Sequence, residues 1–203
     1  MLKQKYERKL NIRTAGIREW KDPNSPYNRC ESTPYEALEK LFETFQLKEG
    51  DEVVDFGVGR GRVSFYTHHK FQVPVTGIEV NDITFDELLK NQERYQMHTP
   101  HIEEPLYFQY GLAEHYEIQE SENIFYFFNP FSAKIFKKVV KNIMKSYEEH
   151  NRTMHLILYY PLNGYTHFLK NETPFELINK IILPGRQDKK EKFRIYRLEK
   201  KED

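Results

Sequence analysis

Hydrophobic positions along the chain fall into two periods. Residues 52–56 (EVVDF), 73–79, 106–110, 123–128 (NIFYFF) and 154–160 (MHLILYY) are apolar on consecutive positions. Such runs suit short strands buried on both faces. Between them apolar residues recur at three and four, as in Leu38, Leu41, Phe42 and Phe45, and again in Ile135, Phe136, Val139, Val140 and Ile143. Each set is one inward face of a helix. Helices are predicted after Ser32-Thr33-Pro34 and over residues 62–70, 82–97, 132–147 and 165–170, with one more short helix near the start. Ser32 or Thr33 is a natural cap and Pro34 suits a first turn; Asn81 or Asp82 caps the helix that follows it. Asp22-Pro23-Asn24-Ser25-Pro26 is a turn. Residues 175–183 and 193–198 read as two last strands, joined through Gly185 without a helix, hence a hairpin at one sheet edge.

Strands alternating with helices imply an α/β fold, an open and mostly parallel sheet with helices on both faces. Ligands in such folds bind at the carboxyl ends of the strands, where the strand order switches. The predicted organisation is a single domain over residues 33–203, preceded by an N-terminal extension, 1–32, that can act as a flap.

Composition narrows the function classes. The 203 residues carry 31 Lys and Arg against 31 Asp and Glu, so the formal net charge is zero. Overall charge therefore gives no argument for a nucleic-acid or membrane partner. The start is nonetheless basic, with Lys3, Lys5, Arg8, Lys9, Arg13, Arg18 and Lys21 against Glu7 and Glu19. This is either a weak surface for an anionic substrate or an ordinary solvated end. One cysteine, Cys30, excludes an internal disulfide framework. The first residues lack the apolar core of a secretory signal, and no run approaches a membrane span, so the expected location is cytoplasmic. His68 and His69 are adjacent on a predicted helix and point apart. No His-Glu-x-x-His or Cys-x-x-Cys is present, so no metal is expected.

The first strand runs into Asp55-Phe56-Gly57-Val58-Gly59-Arg60-Gly61-Arg62, and a helix follows. Glycines there let the backbone turn tightly and approach a ligand, and the helix start behind them offers free N–H groups. Glu79 ends the second strand about twenty residues on, the place of an acid that accepts ribose hydroxyls. The competing reading is a glycine turn that holds no ligand. The nicotinamide fingerprint needs Gly-x-Gly-x-x-Gly, and here Arg62 stands at its third glycine. Asp55 would repel a pyrophosphate but hold a cationic amino group. S-adenosylmethionine (SAM) carries an ammonium and a sulfonium and no phosphate, so an acidic loop suits it better. No Gly-Lys-Ser/Thr follows, which excludes a P-loop.

At these residues the chain resembles the class I SAM-dependent methyltransferases. VVDFGVGRGR is similar to their first motif and GIEVN to their second. The resemblance covers roughly residues 33–198. It implies a seven-stranded sheet with an antiparallel last strand, Asp55, Gly57, Gly59 and Gly61 around the methionine part of SAM, and Glu79 on the ribose. It implies an adenine site at Leu112, Ala113 and Glu114, where a more usual member has Gly-Asp-Ala.

Phe127-Phe128-Asn129-Pro130-Phe131 ends the fourth strand. It resembles the Asn/Asp-Pro-Pro-Tyr/Phe motif of methyltransferases acting on amino groups, with one proline fewer. The Asn-Pro-Phe form also resembles a group of small bacterial methyltransferase-like proteins that share Thr33-Pro34-Tyr35. The resemblance implies that Asn129 and the Pro130 carbonyl orient the acceptor and that Phe131 stacks on it, a matter of positioning rather than strong base chemistry. The competing reading makes Asn129 a helix cap and Phe131 core. Tyr35 and Tyr160 are candidate substrate-pocket residues, and either can instead merely pack. The expected function is methyl transfer from SAM to a nitrogen or oxygen of a small molecule, protein or RNA. The alternatives are a SAM-binding or sensing protein without turnover and a nicotinamide-dependent oxidoreductase.

Overall fold

The computed structural model describes residues 2–22, 24–185 and 188–202. Pro23, in the expected turn, lies outside them. The N-terminal helix α1 (Leu2–Lys9) is followed by α2 (Tyr35–Thr44), β1 (Val53–Phe56), α3 (Arg62–Phe71), β2 (Val75–Glu79), α4 (Asp82–His98) and β3 (Leu106–Tyr110). A short 3₁₀ turn (Ala113–His115) leads to β4 (Ile124–Phe127), α5 (Ala133–Glu149), β5 (Met154–Tyr159), α6 (Asn163–Glu172), β6 (Glu176–Ile182) and β7 (Lys192–Leu198).

The seven strands form one sheet in the order β3-β2-β1-β4-β5-β7-β6. Strands β1 to β5 pair in parallel, and β7 runs antiparallel to both β5 and β6. The order reverses between β1 and β4, which opens a crevice at their carboxyl ends.

Consecutive apolar residues on the central strands serve two layers. Val53 and Tyr126 pack toward α2, α3 and α4, whereas Val54, Phe56, Phe125 and Phe127 pack toward α5 and α6. The second layer is built from rings. Phe56 stacks on Phe127 at 5.1 Å, Phe136 stands edge-on to Phe127 at 5.1 Å, and Phe136 stacks on Tyr165 at 3.8 Å. Ring pairs in these geometries add to area burial.

Element ends differ from the sequence expectation for local reasons. Strand β2 starts at Val75 because Pro74 has no N–H for the ladder; its carbonyl still accepts from Val53 N–H at 3.0 Å. Strand β5 stops at Tyr159 because Tyr160 turns to a positive φ of 49°. Neither Ser32 nor Thr33 caps α2. Pro34 holds the cap position, Ser32 Oγ donates to Thr14 O, and Thr33 Oγ1 lies 2.8 Å from Tyr126 Oη. Asn81 does cap α4, its Oδ1 accepting from Thr84 N–H at 2.9 Å. Among the described residues, no helix is long and apolar enough to cross a membrane.

Removing a buried ring from this layer leaves a cavity that the sheet cannot close. Phe136→Ala is expected to lower stability by about 3–5 kcal/mol. Tyr107→Ala, on the exposed edge strand, should change it by less than about 0.5 kcal/mol. Urea unfolding of both variants checks the pair.

Candidate functional site

The crevice at the switch point is a narrow cleft between the strand ends and the N-terminal segment. Its floor is the loop after β1. Gly57 has φ +73°, and a Cβ there would stand 2.3 Å from Pro130 Cβ, so only glycine lets the β4 end approach. Gly57 and Val58 N–H both donate to Ile78 O, which ties the loop to β2.

Glu79, at the end of β2, is buried at the cleft wall. Its Oε2 accepts from Gly59 N–H at 2.9 Å, and its Oε1 accepts from Val80 and Asn81 N–H at 2.9 and 2.8 Å. Burial raises its pKa, and the three backbone donors pull it back down. A carboxylate has about four acceptor sites, so one remains on Oε2. Asp55 is also buried at the cleft, with Ser64 Oγ donating to it at 2.9 Å. Burial pushes its carboxyl up to about 7, and the charge of Glu79 adds to the push.

The opposite wall is a strap from the N-terminal segment. Arg18 and Cys30 exchange backbone hydrogen bonds at 3.0 and 2.9 Å, and residues 18–20 and 27–33 line the cleft. Two arginines of the glycine loop fasten it. Arg60 Nη1 donates to Gly16 O at 3.1 Å while its Nε pairs with Glu87 at 2.7 Å, and Arg18 pairs with the same Glu87. Arg62, 7% exposed, donates to Thr14 Oγ1 at 2.7 Å and Thr33 O at 3.1 Å and meets Glu7 at 3.3 Å. Sequence reading used Arg62 only to reject a fingerprint and gave Arg60 no role. Their signal was two arginines on a buried glycine loop, where a guanidinium must find partners.

A second groove adjoins the cleft, with Glu19, Asn28, Arg29, Glu31 and Phe128 bordering both. Asn129 and Tyr160 lie at its base. Both hold positive φ, 41° and 49°, a costly backbone state for residues other than glycine. They are joined, since Asn129 Nδ2 donates to Tyr160 O. Asn129 Oδ1 is buried and has no hydrogen-bond partner. Asn129 does not cap α5; Ser132 holds that position. Phe128 stands edge-on to Tyr159 at 4.7 Å, so the groove has an aromatic wall.

Several expected residues stand elsewhere. Pro130 borders the cofactor-side cleft, and its carbonyl accepts from Asn28 N–H at 3.0 Å, holding the strap. Phe131 is 1% exposed, edge-on to Phe127 and bonded through its carbonyl to the Tyr165 hydroxyl. It borders the cleft and not the groove; Phe128 and Tyr160 supply the groove's rings instead. Tyr35 lines neither space. It is buried under α1, stacked on Tyr6 at 4.9 Å with the Arg62 guanidinium 4.7 Å from its ring centre. Gly61 starts α3 at φ +90° and faces Phe65 and Leu88 rather than the cleft. Of the expected adenine residues only Ala113 reaches the cleft, beside Gly111. Leu112 swings to solvent, and Glu114 turns toward Lys138 at 3.5 Å.

Burial pushes the Cys30 thiol up to about 11, which keeps it protonated. His68 is held by Tyr95 Oη and Glu104 O and serves packing. Among the described residues, no group of three or more His, Cys, Asp or Glu is placed to hold a metal ion.

No protein-family model matches the chain, and no curated protein sequence matches it. Solved structures do. An RNA methyltransferase of Salinibacter ruber in complex with S-adenosyl-L-homocysteine is similar at a TM-score of 0.59 and 16% identity, over 85% of this chain and 95% of that one. The tRNA (uracil-54, C5)-methyltransferase of Pyrococcus abyssi, also with S-adenosyl-L-homocysteine, is similar at 0.55 and 14% identity, over 86% of this chain and 40% of that one. TrmK of M. capricolum with S-adenosylhomocysteine gives 0.55 and 9%, over 83% of this chain and 69% of that one. The chain has the fold of the class I SAM-dependent methyltransferases, with the expected strand order and antiparallel β7.

Arg62→Met takes away the buried donors that hold Thr14 and Thr33. It is expected to raise amide exchange across residues 14–33 at least tenfold while the amides of β1 and β4 keep their protection. Hydrogen-exchange mass spectrometry checks this; unchanged exchange in the strap would show that Arg60 and Arg18 suffice.

Proposed function

We propose that the chain is a SAM-dependent methyltransferase that binds SAM in the cleft and presents a nitrogen or oxygen acceptor from the groove. The observation that carries the reading is the pair of buried carboxylates, Asp55 and Glu79, beside a loop whose glycine leaves no room for a Cβ. The residues fit the group. Among the described residues no cation pairs with Asp55, which suits an ammonium. The remaining acceptor site of Glu79 suits a ribose hydroxyl. Gly111 and Ala113 leave a flat, small-residue wall for adenine.

SAM, when bound, supplies a methyl group on a positively charged sulfur. The chain's own part is to position and desolvate. The strap covers the cleft and excludes water. The Nδ2 bond to Tyr160 O fixes the Asn129 amide and leaves its Oδ1 without a partner among the described residues; that oxygen is closed to solvent here, so it takes an N–H or O–H of the incoming group only when the turn at Asn129 and Tyr160 opens toward the groove. Phe128 and Tyr160 give a planar acceptor rings to lie against. Glu19 and Glu31 border the groove with Arg29, which pairs with Glu31 at 2.8 Å and Glu19 at 3.8 Å, one cation against two carboxylates. Such a lining favours an uncharged or cationic group over a phosphate. A nucleobase is the acceptor class to test first, since similar structures include RNA methyltransferases.

One observation favours the second reading, a SAM-binding protein without turnover. Asn28 binds both Asn129 O and Pro130 O, which seats the strap between cleft and groove. Methyl transfer to any acceptor decides between the two.

Glu79→Ala is expected to weaken SAM binding by about tenfold to a hundredfold, the scale of a charged hydrogen bond. Asn129→Ala should leave SAM binding intact and lower turnover; normal turnover would remove Asn129 from the mechanism. SAM affinity should also depend on pH. Asp55 is largely protonated below about 7 and must ionise to hold an ammonium. Affinity therefore rises as pH climbs from 6 toward 7.5, and the slope disappears in Asp55→Asn. Calorimetry across that range checks both.

A further inference from the structure

The basic start of the chain has no part in the cleft or the groove beyond Arg18, yet three of the arginines in this fold meet at one place. Arg8 on α1, Arg13 just after it and Arg94 on α4 line a single open hollow. None of the three belongs to a salt bridge among the described residues. Among the described residues Glu7 is the carboxylate that borders the hollow, and each of its oxygens holds a partner. Oε2 accepts from Thr14 N–H at 2.9 Å, and Oε1 meets the Thr14 hydroxyl and Arg62.

The hollow is built, not incidental. Asn91, 1% exposed, clamps Arg13 with both ends of its amide: Oδ1 accepts Arg13 N–H at 2.9 Å and Nδ2 donates to Arg13 O at 3.0 Å. The same Oδ1 takes Arg94 Nη1 at 3.4 Å, and the same Nδ2 reaches Arg60 O on the glycine loop at 3.0 Å. Asn11, at φ +53°, donates through Nδ2 to Arg94 O at 3.1 Å. One buried amide thus fixes the segment that carries Arg13, steadies Arg94 and touches the cofactor-side loop. His98 lies one turn past Arg94 on the same face of α4.

Three arginines line one hollow, Arg8 also donating through Nε to Gln4 O at 3.3 Å, and their like charges repel unless an anion joins them. Guanidinium forks match the oxygens of phosphate and bind them in pairs. We infer that this hollow is a phosphate-binding site, taking the phosphate of a nucleic-acid strand or of a free phosphate ligand. A strand is the source that suits the rest of the molecule. The acidic groove keeps phosphates away from the acceptor position, and the hollow lies about 10 Å along α4 from Glu87, the residue that anchors the strap at the cleft.

The test uses the full chain and two probes, inorganic pyrophosphate and a fluorescent single-stranded twelve-nucleotide RNA, at low and moderate salt. The variants are Arg8→Gln/Arg94→Gln together and Arg13→Gln alone. Phosphate binding is expected to fall at least tenfold in the double variant, and RNA binding to lose part of its salt dependence. RNA that binds more tightly than pyrophosphate and is displaced by it assigns the site to a strand. Pyrophosphate binding at least as tight as RNA assigns it to a free phosphate ligand. Either result, lost in the double variant, supports the site. Binding equal in wild type and variants, or no binding of either probe at low salt, overturns it. SAM titration of the same variants keeps this separate from the methyltransferase reading, because SAM binding should not change. If the double variant loses SAM binding too, Arg13→Gln, whose guanidinium holds no partner among the described residues, is judged by the same criterion.

Discussion

Two carboxylates, buried near each other and without a salt-bridge partner among the described residues, are the constraint around which the molecule is arranged. Asp55 and Glu79 end or nearly end neighbouring parallel strands, and the sheet gives them no choice of position. Burying charge is costly unless it is answered by hydrogen bonds or an opposite charge. Glu79 is answered by three backbone N–H groups, which exist because the chain turns at once into the start of α4 and the glycine loop folds back toward it. Among the described residues Asp55 is answered by Ser64, and burial pushes its carboxyl up to about 7. A cationic ligand would complete what the protein leaves incomplete, and on that ground the proposed function takes SAM rather than a dinucleotide.

The strap follows from the same economy of buried charge. Arg60 and Arg62 lie on the loop because the loop is where the chain can turn, and both are nearly sealed from water. Their donors must be spent on something, and the N-terminal segment supplies carbonyls, a threonine hydroxyl and Glu7. The cleft wall and its fastening are therefore one structure. The Asn28 bonds extend it to the end of β4, where strained Asn129 and Tyr160 hold each other. The cleft, the strap and the groove are linked through a few side chains rather than through separate elements.

The fold was legible because its signals are local. Strands apolar on consecutive positions, helical spacing between them, and an acid about twenty residues past a glycine loop all lie within short windows. Glu79, Asp55, Gly57 and Gly59 could be named from spacing, and the structure sets all four at one cleft. What could not be read depends on contacts between distant residues. Thr33 looks like a helix cap until Tyr126, 93 residues on, claims its hydroxyl. Tyr35 looks like a pocket wall until α1 folds over it. Phe131 looks like a stacking ring until Tyr165, 34 residues on, bonds its carbonyl and the ring packs against Phe127. Arg13 and Arg94 meet only through Asn91, with no periodicity to announce it.

The most direct test is calorimetric titration of the purified chain with SAM and S-adenosylhomocysteine, with NAD as control. The account predicts saturable binding of both adenosyl ligands and none of NAD. No binding of either adenosyl ligand, or tighter binding of NAD, would contradict it, and the paired carboxylates would then need a different cation to explain them.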